Sequence, residues 1–194
     1  MKFITSLICA AALCASTAFA DGHANWKSVN EGSSVAFGSV KKNVIGEVHH
    51  FSGLSGTVSE MGDITIIIDL STVETNIDIR NQRIMEHVFP KGMATATLTG
   101  RIDRDEVNEL PVGDTALVDF EGALALGGID VDIEAEMLVA RLGEDRVLVT
   151  TADFIMLSTA DLGIDAGIDV LMELANLPGI TRVTPISIRM IFEK

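Results

Sequence analysis

The chain has 194 residues, with 14 Lys and Arg against 28 Asp and Glu, for a formal net charge of −14. That balance excludes a surface made for nucleic-acid phosphates or for anionic lipid headgroups, both of which it would repel. Hydrophobic residues make up 47% of the chain but aromatic ones only 5%, so the interior must be built from Ile, Leu, Val, Met and Ala.

The first twenty residues read as a targeting segment. Lys2 precedes the apolar run Phe3–Leu13, which is too short for a bilayer span, and Ala18-Phe19-Ala20 supplies the small-x-small pattern of signal-peptide cleavage. Cys9 and Cys14 follow Ile8 and Leu13, where a lipoprotein signal would need a small residue. The expectation is export to the periplasm with cleavage after Ala20, leaving residues 21–194 as one domain. Residues 1–20 contain one Lys, no acid and both cysteines, so that domain carries −15 and has neither a disulfide nor a thiolate metal site.

Beyond residue 20 the dominant period is two. Ser33–Lys41, Val44–Ser59 and Ile64–Leu70 read as strands. Ile77–Phe89 departs from this, placing Ile77, Ile84, Met85 and Val88 at helical spacing with Asn76 as N-cap and Pro90 as stop. Met93–Ile102 returns to strand. Val118, Phe120, Gly122, Leu124 and Leu126 then alternate with Asp119, Glu121, Ala123 and Ala125. After Gly127-Gly128, a hairpin signal, Val131, Ile133, Ala135, Met137 and Val139 alternate with Asp130, Asp132, Glu134 and Glu136. Arg146–Phe154 is a further strand, Gly167–Leu177 a short apolar helix ended by Pro178-Gly179, and Ile186–Phe192 the closing strand. Many strands without interleaved helices predict an all-β antiparallel barrel or sandwich with one or two short helices.

The residues offer little catalytic equipment. His49 and His50 are adjacent, so on a strand they face opposite sides and cannot share a metal; His87 lacks an H-E-x-x-H companion, and His23 lies near the expected new N-terminus. No G-x-S-x-G elbow surrounds a serine, and Ser52-Gly53-Leu54-Ser55-Gly56 lies within a β pattern, where its glycines suit a bend at barrel closure rather than a phosphate cradle. Asp161, Asp165 and Asp169 recur every fourth residue but lack the alternating ligands and closing Glu of a calcium loop. No metal site, no cofactor and no catalytic set are expected, which weighs against an enzyme; the apolar side chains can either fill a core or, in a barrel of about eight strands, line a pocket for one ligand. Met85, Met93, Met137, Met156, Met172 and Met190 would suit an adaptable apolar pocket.

The order of segments resembles the YceI family, lipocalin-like polyisoprenoid-binding proteins of the bacterial periplasm. The similarity is carried by Ser33–Phe37, by Val44–Val48 leading into Phe51-Ser52-Gly53, and by Ile66–Thr75. It continues through Arg80…Arg83…Glu86-His87-Val88-Phe89, Ala152-Asp153-Phe154 to Leu162-Gly163-Ile164, and Val183–Phe192. Asn81-Gln82 depart from the acidic and charged pair usual after the first Arg, and Leu157–Ile164 is a loosened form of the family's late motif.

The resemblance implies a lipocalin-like antiparallel barrel of about eight strands that holds an isoprenoid lipid or quinone, with the Arg80–Phe89 helix at one mouth. Candidate lining residues are Phe37, Val48, Phe51, Ile68, Ile84, Met85, Phe89, Phe120, Leu124, Met137, Phe154 and Phe192. Arg80, Arg83 and His87 are candidates for meeting a polar headgroup. Two other functions stay open: an enzyme acting on a hydrophobic substrate with His87 or His50 as base, and a stress-related module whose acidic surface contacts the membrane or a membrane cytochrome. Pairing of two copies also stays open.

Overall fold

The structure, a computed structural model, describes residues 24–89 and 92–194; the expected signal peptide, His23 and Pro90 lie outside them. Eleven strands form among these residues: β1 (Ala24–Lys41), β2 (Ile45–Phe51), β3 (Leu54–Ser59), β4 (Asp63–Asp69), β5 (Val73–Glu74), β6 (Thr95–Arg101), β7 (Thr115–Leu126), β8 (Ile129–Gly143), β9 (Arg146–Thr151), β10 (Ile155–Ser158) and β11 (Val183–Glu193). Three helices accompany them: α1 (Asp78–Arg83), which runs on into a wider π turn at Ile84–Val88, α2 (Arg104–Asn108) and α3 (Asp165–Leu174).

Hydrogen bonding runs β1–β3–β4–β6–β7–β8–β9–β11 and returns from β11 to β1, closing an antiparallel barrel of eight strands. The choice between barrel and sandwich is thereby settled by one ladder, in which Lys27–Val29 and Ser34–Phe37 face Glu193–Ile191 and Arg189–Ile186. The predicted alternation holds: Val118, Phe120, Leu126, Ile133, Val139, Ile188, Met190 and Phe192 are all buried. The β7–β8 hairpin turns at Gly127 and Gly128, with φ of 59° and 87°, the left-handed pair that a tight two-residue turn requires.

Val44–Ser59 is two strands, not one. The chain bends at Ser52-Gly53, where the Gly53 N–H donates to Thr72 Oγ1 (2.9 Å) and its carbonyl accepts from Asp69 N–H (2.8 Å). Both β2 and β3 lie along the same edge of β1, but β3 continues the barrel while β2 leads to β5. On the other edge of the closure, β11 divides likewise: Val183–Ile186 pairs with β10 and Arg189–Glu193 with β9. The strand expected to reach Phe154 therefore ends at Thr151. The outcome is a barrel lengthened at one end by β2, β5 and β10.

The helix starts also differ from expectation. Asn76 is not the N-cap of α1; it takes a left-handed φ of 60°, and Ile77 occupies the cap position without a side-chain bond. Asn81, inside the helix, instead ties α1 to the segment before it: its Oδ1 accepts from the Thr75 N–H (2.9 Å) and its Nδ2 donates to Glu74 (3.1 Å). α3 begins two residues earlier than predicted. Arg182 fastens it, with Nη1 donating to the Asp165 carbonyl (3.0 Å) and Nη2 to the Asp169 carboxylate. Arg182 thus accounts for two of the three regularly spaced aspartates.

At the far end sits the only tryptophan of the chain, Trp26, 3% exposed and in register with Val58. Lys194 Nζ stands 4.7 Å and the Arg141 guanidinium 5.3 Å from its ring centroid. Arg141 also donates to the Val107 carbonyl of α2 (3.4 Å), joining that helix to the same end. Replacing Trp26 with Ala should cost about 3–5 kcal/mol of unfolding free energy, the range for deleting a large buried aromatic. Chemical denaturation would measure it, and a loss within about 0.5 kcal/mol, the scale of surface substitutions, would show that this end does not depend on Trp26.

Candidate ligand-binding site

The barrel encloses three apolar compartments in series. The deepest, about 60 Å³, is walled by Ile66, Phe120, Met137, Met190 and Phe192 among others. Next comes one of about 130 Å³, walled by Val35, Phe51, Ile68, Leu124 and Ile133 and sharing Leu98, Ile155 and Ile188 with the first. The outermost, about 390 Å³, shares Phe37, Phe89, Ile164 and Thr184 with the second and lies beneath α1, the π turn and α3. Shared walls place the three end to end along one tract that widens toward its mouth. In its two inner parts Thr184 is the one polar wall residue, and its hydroxyl is spent on the Gly38 carbonyl.

Helix contacts roof that mouth. Gly167 of α3 lies so close to the π turn that a Cβ there would stand 2.4 Å from the His87 carbonyl oxygen, so only glycine lets the two elements approach this far. Arg83 Nη1 reaches the Leu174 carbonyl at the end of α3 (3.5 Å).

Polar groups collect only at the mouth. Glu47, His49 and Phe51 share one face of β2 by its two-residue period, and that face points inward. Glu47 accepts from Lys41 Nζ and from Arg80 Nη1, both at 2.9 Å, and Arg80 Nη2 donates to the Thr75 carbonyl (2.6 Å). Burial alone would raise the Glu47 carboxyl, but the two hydrogen bonds and two positive charges outweigh it and hold it below the ordinary carboxylate value. His49 is buried, its ring 5.1 Å from that of Phe37, with Nε2 3.0 Å from Ser39 Oγ. Burial first, and the nearby Arg80 charge second, lower its pKa from 6.5, against a smaller opposing pull from Glu47.

Most of the predicted lining residues fall on this tract. Phe120, Met137 and Phe192 wall the deepest compartment, Phe37, Phe51, Ile68, Phe89 and Leu124 the middle one, and Arg80, Arg83 and Ile84 the mouth. Two are corrected outright. Val48 is 59% exposed, because it has the opposite parity to Phe51 on one unbulged strand; Phe154 is 70% exposed, because it sits in the loop between β9 and β10. Met85 packs against the core, and His87 stands 3.7 Å from Glu86; neither lies on the walls of the tract. His50 is exposed on the outer wall. His49 is the residue that sequence reasoning passed over, although the parity of Phe51 was enough to send it inward.

Among the described residues, no group of three or more His, Cys, Asp or Glu is placed to hold a metal ion, and no helix is long and apolar enough to cross a membrane. A broad cleft of about 710 Å³ near the far end is lined mainly by charged groups, among them Arg101, Asp103, Asp119 and Glu121. Its walls offer an apolar ligand little.

No protein-family model matches the sequence, and neither does any curated protein. Solved structures do. A polyisoprenoid binding domain from Saccharophagus degradans, implicated in plant cell wall breakdown, superposes with a TM-score of 0.83 at 32% identity, over 88% of this chain and 98% of that one. BcnA of Burkholderia cenocepacia matches at 0.65 with 15% identity, over 84% and 98% of the two chains. The YceI protein of Campylobacter jejuni matches at 0.54 with 11% identity, over 75% and 84%. These last two likenesses show the barrel fold alone.

The buried, uncharged His49 makes stability depend on pH. Its folded-state pKa is depressed, so the unfolded chain takes up the proton first; stability is whole above 6.5 and is lost as pH falls below that value. The thermal midpoint should therefore drop between about pH 7.5 and about pH 5, and the drop should shrink in His49→Phe. An undiminished drop in the variant would assign the effect to other groups.

Proposed function

The chain belongs to the YceI-like family, and on that premise we propose that it is a periplasmic carrier holding a polyisoprenoid or similar amphiphilic lipid, such as an isoprenoid quinone, inside its barrel. One observation carries this reading: three apolar compartments that share wall residues lie in line inside the barrel, and the widest of them has a polar rim. A linear chain threaded there gains about 0.8 kcal/mol for each methylene it buries, so tight binding needs few polar contacts. A bulky ring system would not pass the narrow inner compartments.

Export is supported by the residue pattern from Lys2 to Ala20. A carrier is favoured over an enzyme because the histidines first considered as bases lie off the tract, His50 on the outer wall and His87 beside Glu86. The relative at 32% identity is itself described as a binding domain.

Two experiments test the reading. Protein purified from the periplasmic fraction should begin at Asp21, and organic extraction or native mass spectrometry should release an isoprenoid lipid from it. A chain retaining residues 1–20, or one that carries no lipid and takes up none, would contradict it. Leu124→Trp should fill the middle compartment and displace about two methylenes, weakening binding of a long prenol by about tenfold, whereas Val48→Ser on the outer wall should leave it unchanged.

A further inference from the structure

Two buried nitrogens at the mouth have no partner. Arg80 spends Nη1 on Glu47 and Nη2 on the Thr75 carbonyl, yet its Nε–H is buried without an acceptor. His49, only 4% exposed, engages Ser39 through Nε2 while Nδ1 is buried and unpaired. Both residues line the same 390 Å³ chamber, whose other walls include Phe37, Ile84, Phe89 and Ile168. Buried polar atoms in folded proteins are almost always satisfied, so two orphans on one ligand-sized chamber point to a ligand atom.

Resting on the lipid-binding reading, we infer that the mouth selects an uncharged oxygen headgroup, a carbonyl or a hydroxyl, over a phosphate on the same tail, and that His49 is the residue which discriminates. Arg80 Nε–H can only donate, so the group it meets must accept. His49 Nδ1 suits the same oxygen in either tautomer. With its proton on Nδ1 it donates to a carbonyl while Ser39 donates to Nε2; with its proton on Nε2 it accepts from a hydroxyl. An uncharged oxygen therefore suits the bonding capacity of either orphan.

A phosphate fits worse. The positive groups nearest His49 are already spoken for, since Lys41 and Arg80 share the Glu47 carboxylate, and that carboxylate would repel a second anion beside it. Lys42 and Arg83 also border the chamber, but Lys42 is exposed and Arg83 is turned toward Leu174. Charges at such a rim are screened by water and add little. Burial and the neighbouring Arg80 charge also keep the imidazole itself uncharged at neutral pH.

The test compares three probes on the full mature chain: geranylgeraniol, geranylgeranyl diphosphate and the headless hydrocarbon phytane. The alcohol should bind at least about tenfold more tightly than the diphosphate. His49→Phe should weaken the alcohol by about tenfold and leave phytane unchanged, while His49→Gln, which restores a donor and an acceptor, should recover most of the loss. Diphosphate binding as tight as the alcohol, or an alcohol affinity indifferent to His49→Phe, would overturn the inference. If all three probes bound alike, the inference would fail and the lipid-carrier reading would stand; if none bound, both would fail. The comparison on the unmutated protein decides the matter even if a His49 variant does not fold.

Discussion

The pairing of β1 with β11 is the constraint on which everything else depends. Without it, the eight strands would form an open sheet with two long free edges and a one-sided apolar face. With it, the inward parity of every strand is fixed, because a slip of one residue would turn the Ile188–Met190–Phe192 set out into water. The closure survives a bulge between Val29 and Ser34. There Ser33 does the work of the missing ladder bonds: its hydroxyl accepts from the Ile191 N–H (3.0 Å) and donates to the Val29 carbonyl.

Closure at the bulged β1 also creates the asymmetry that function requires. One long strand serves β3 along its first part and β2 along its last, so the barrel is sealed at the Trp26 end and extended at the other. The tract widens in the same direction, from about 60 to about 390 Å³, and gains polarity only where β2 brings Glu47 and His49 to its wall. In the deep part, Gly100 and Gly122 oppose each other across β6 and β7, and the space that their missing side chains leave is taken by the Phe120 ring. A narrow apolar stem under a wider, partly polar chamber matches the shape of an amphiphile with a single long tail.

Period two made the barrel strands legible, because acids alternate with apolar residues over Asp119–Gly122 and again over Asp130–Met137, and the outward acids tolerate no other register. Closure itself could not be read, since nothing local distinguishes a barrel edge from a sandwich edge; it is a contact between residues about 150 positions apart. Which strand residues border the tract was legible wherever strand parity was respected. Val48 failed because its hydrophobicity was weighed without the parity set by Phe51, and Phe154 failed because the strand was run three residues past its end. α2 was not legible: Arg104–Asn108 offers a single apolar residue, Val107, too little for any helical period to register. His49 was hidden behind its neighbour. The pair was considered as a metal site and set aside, although the same alternation that separates the two side chains drives one of them into the mouth.

The central claim is that the tail of a lipid occupies the whole tract from mouth to floor. Methyl-resolved NMR with intermolecular NOEs between the protein and bound geranylgeraniol tests it most directly. NOEs from the prenyl methyls to Ile164 at the mouth, to Ile68 and Ile188 in the middle and to Met190 at the floor are what the account predicts. NOEs confined to outer-wall methyls such as those of Val48 and Met156, with the interior methyls unperturbed, would contradict it.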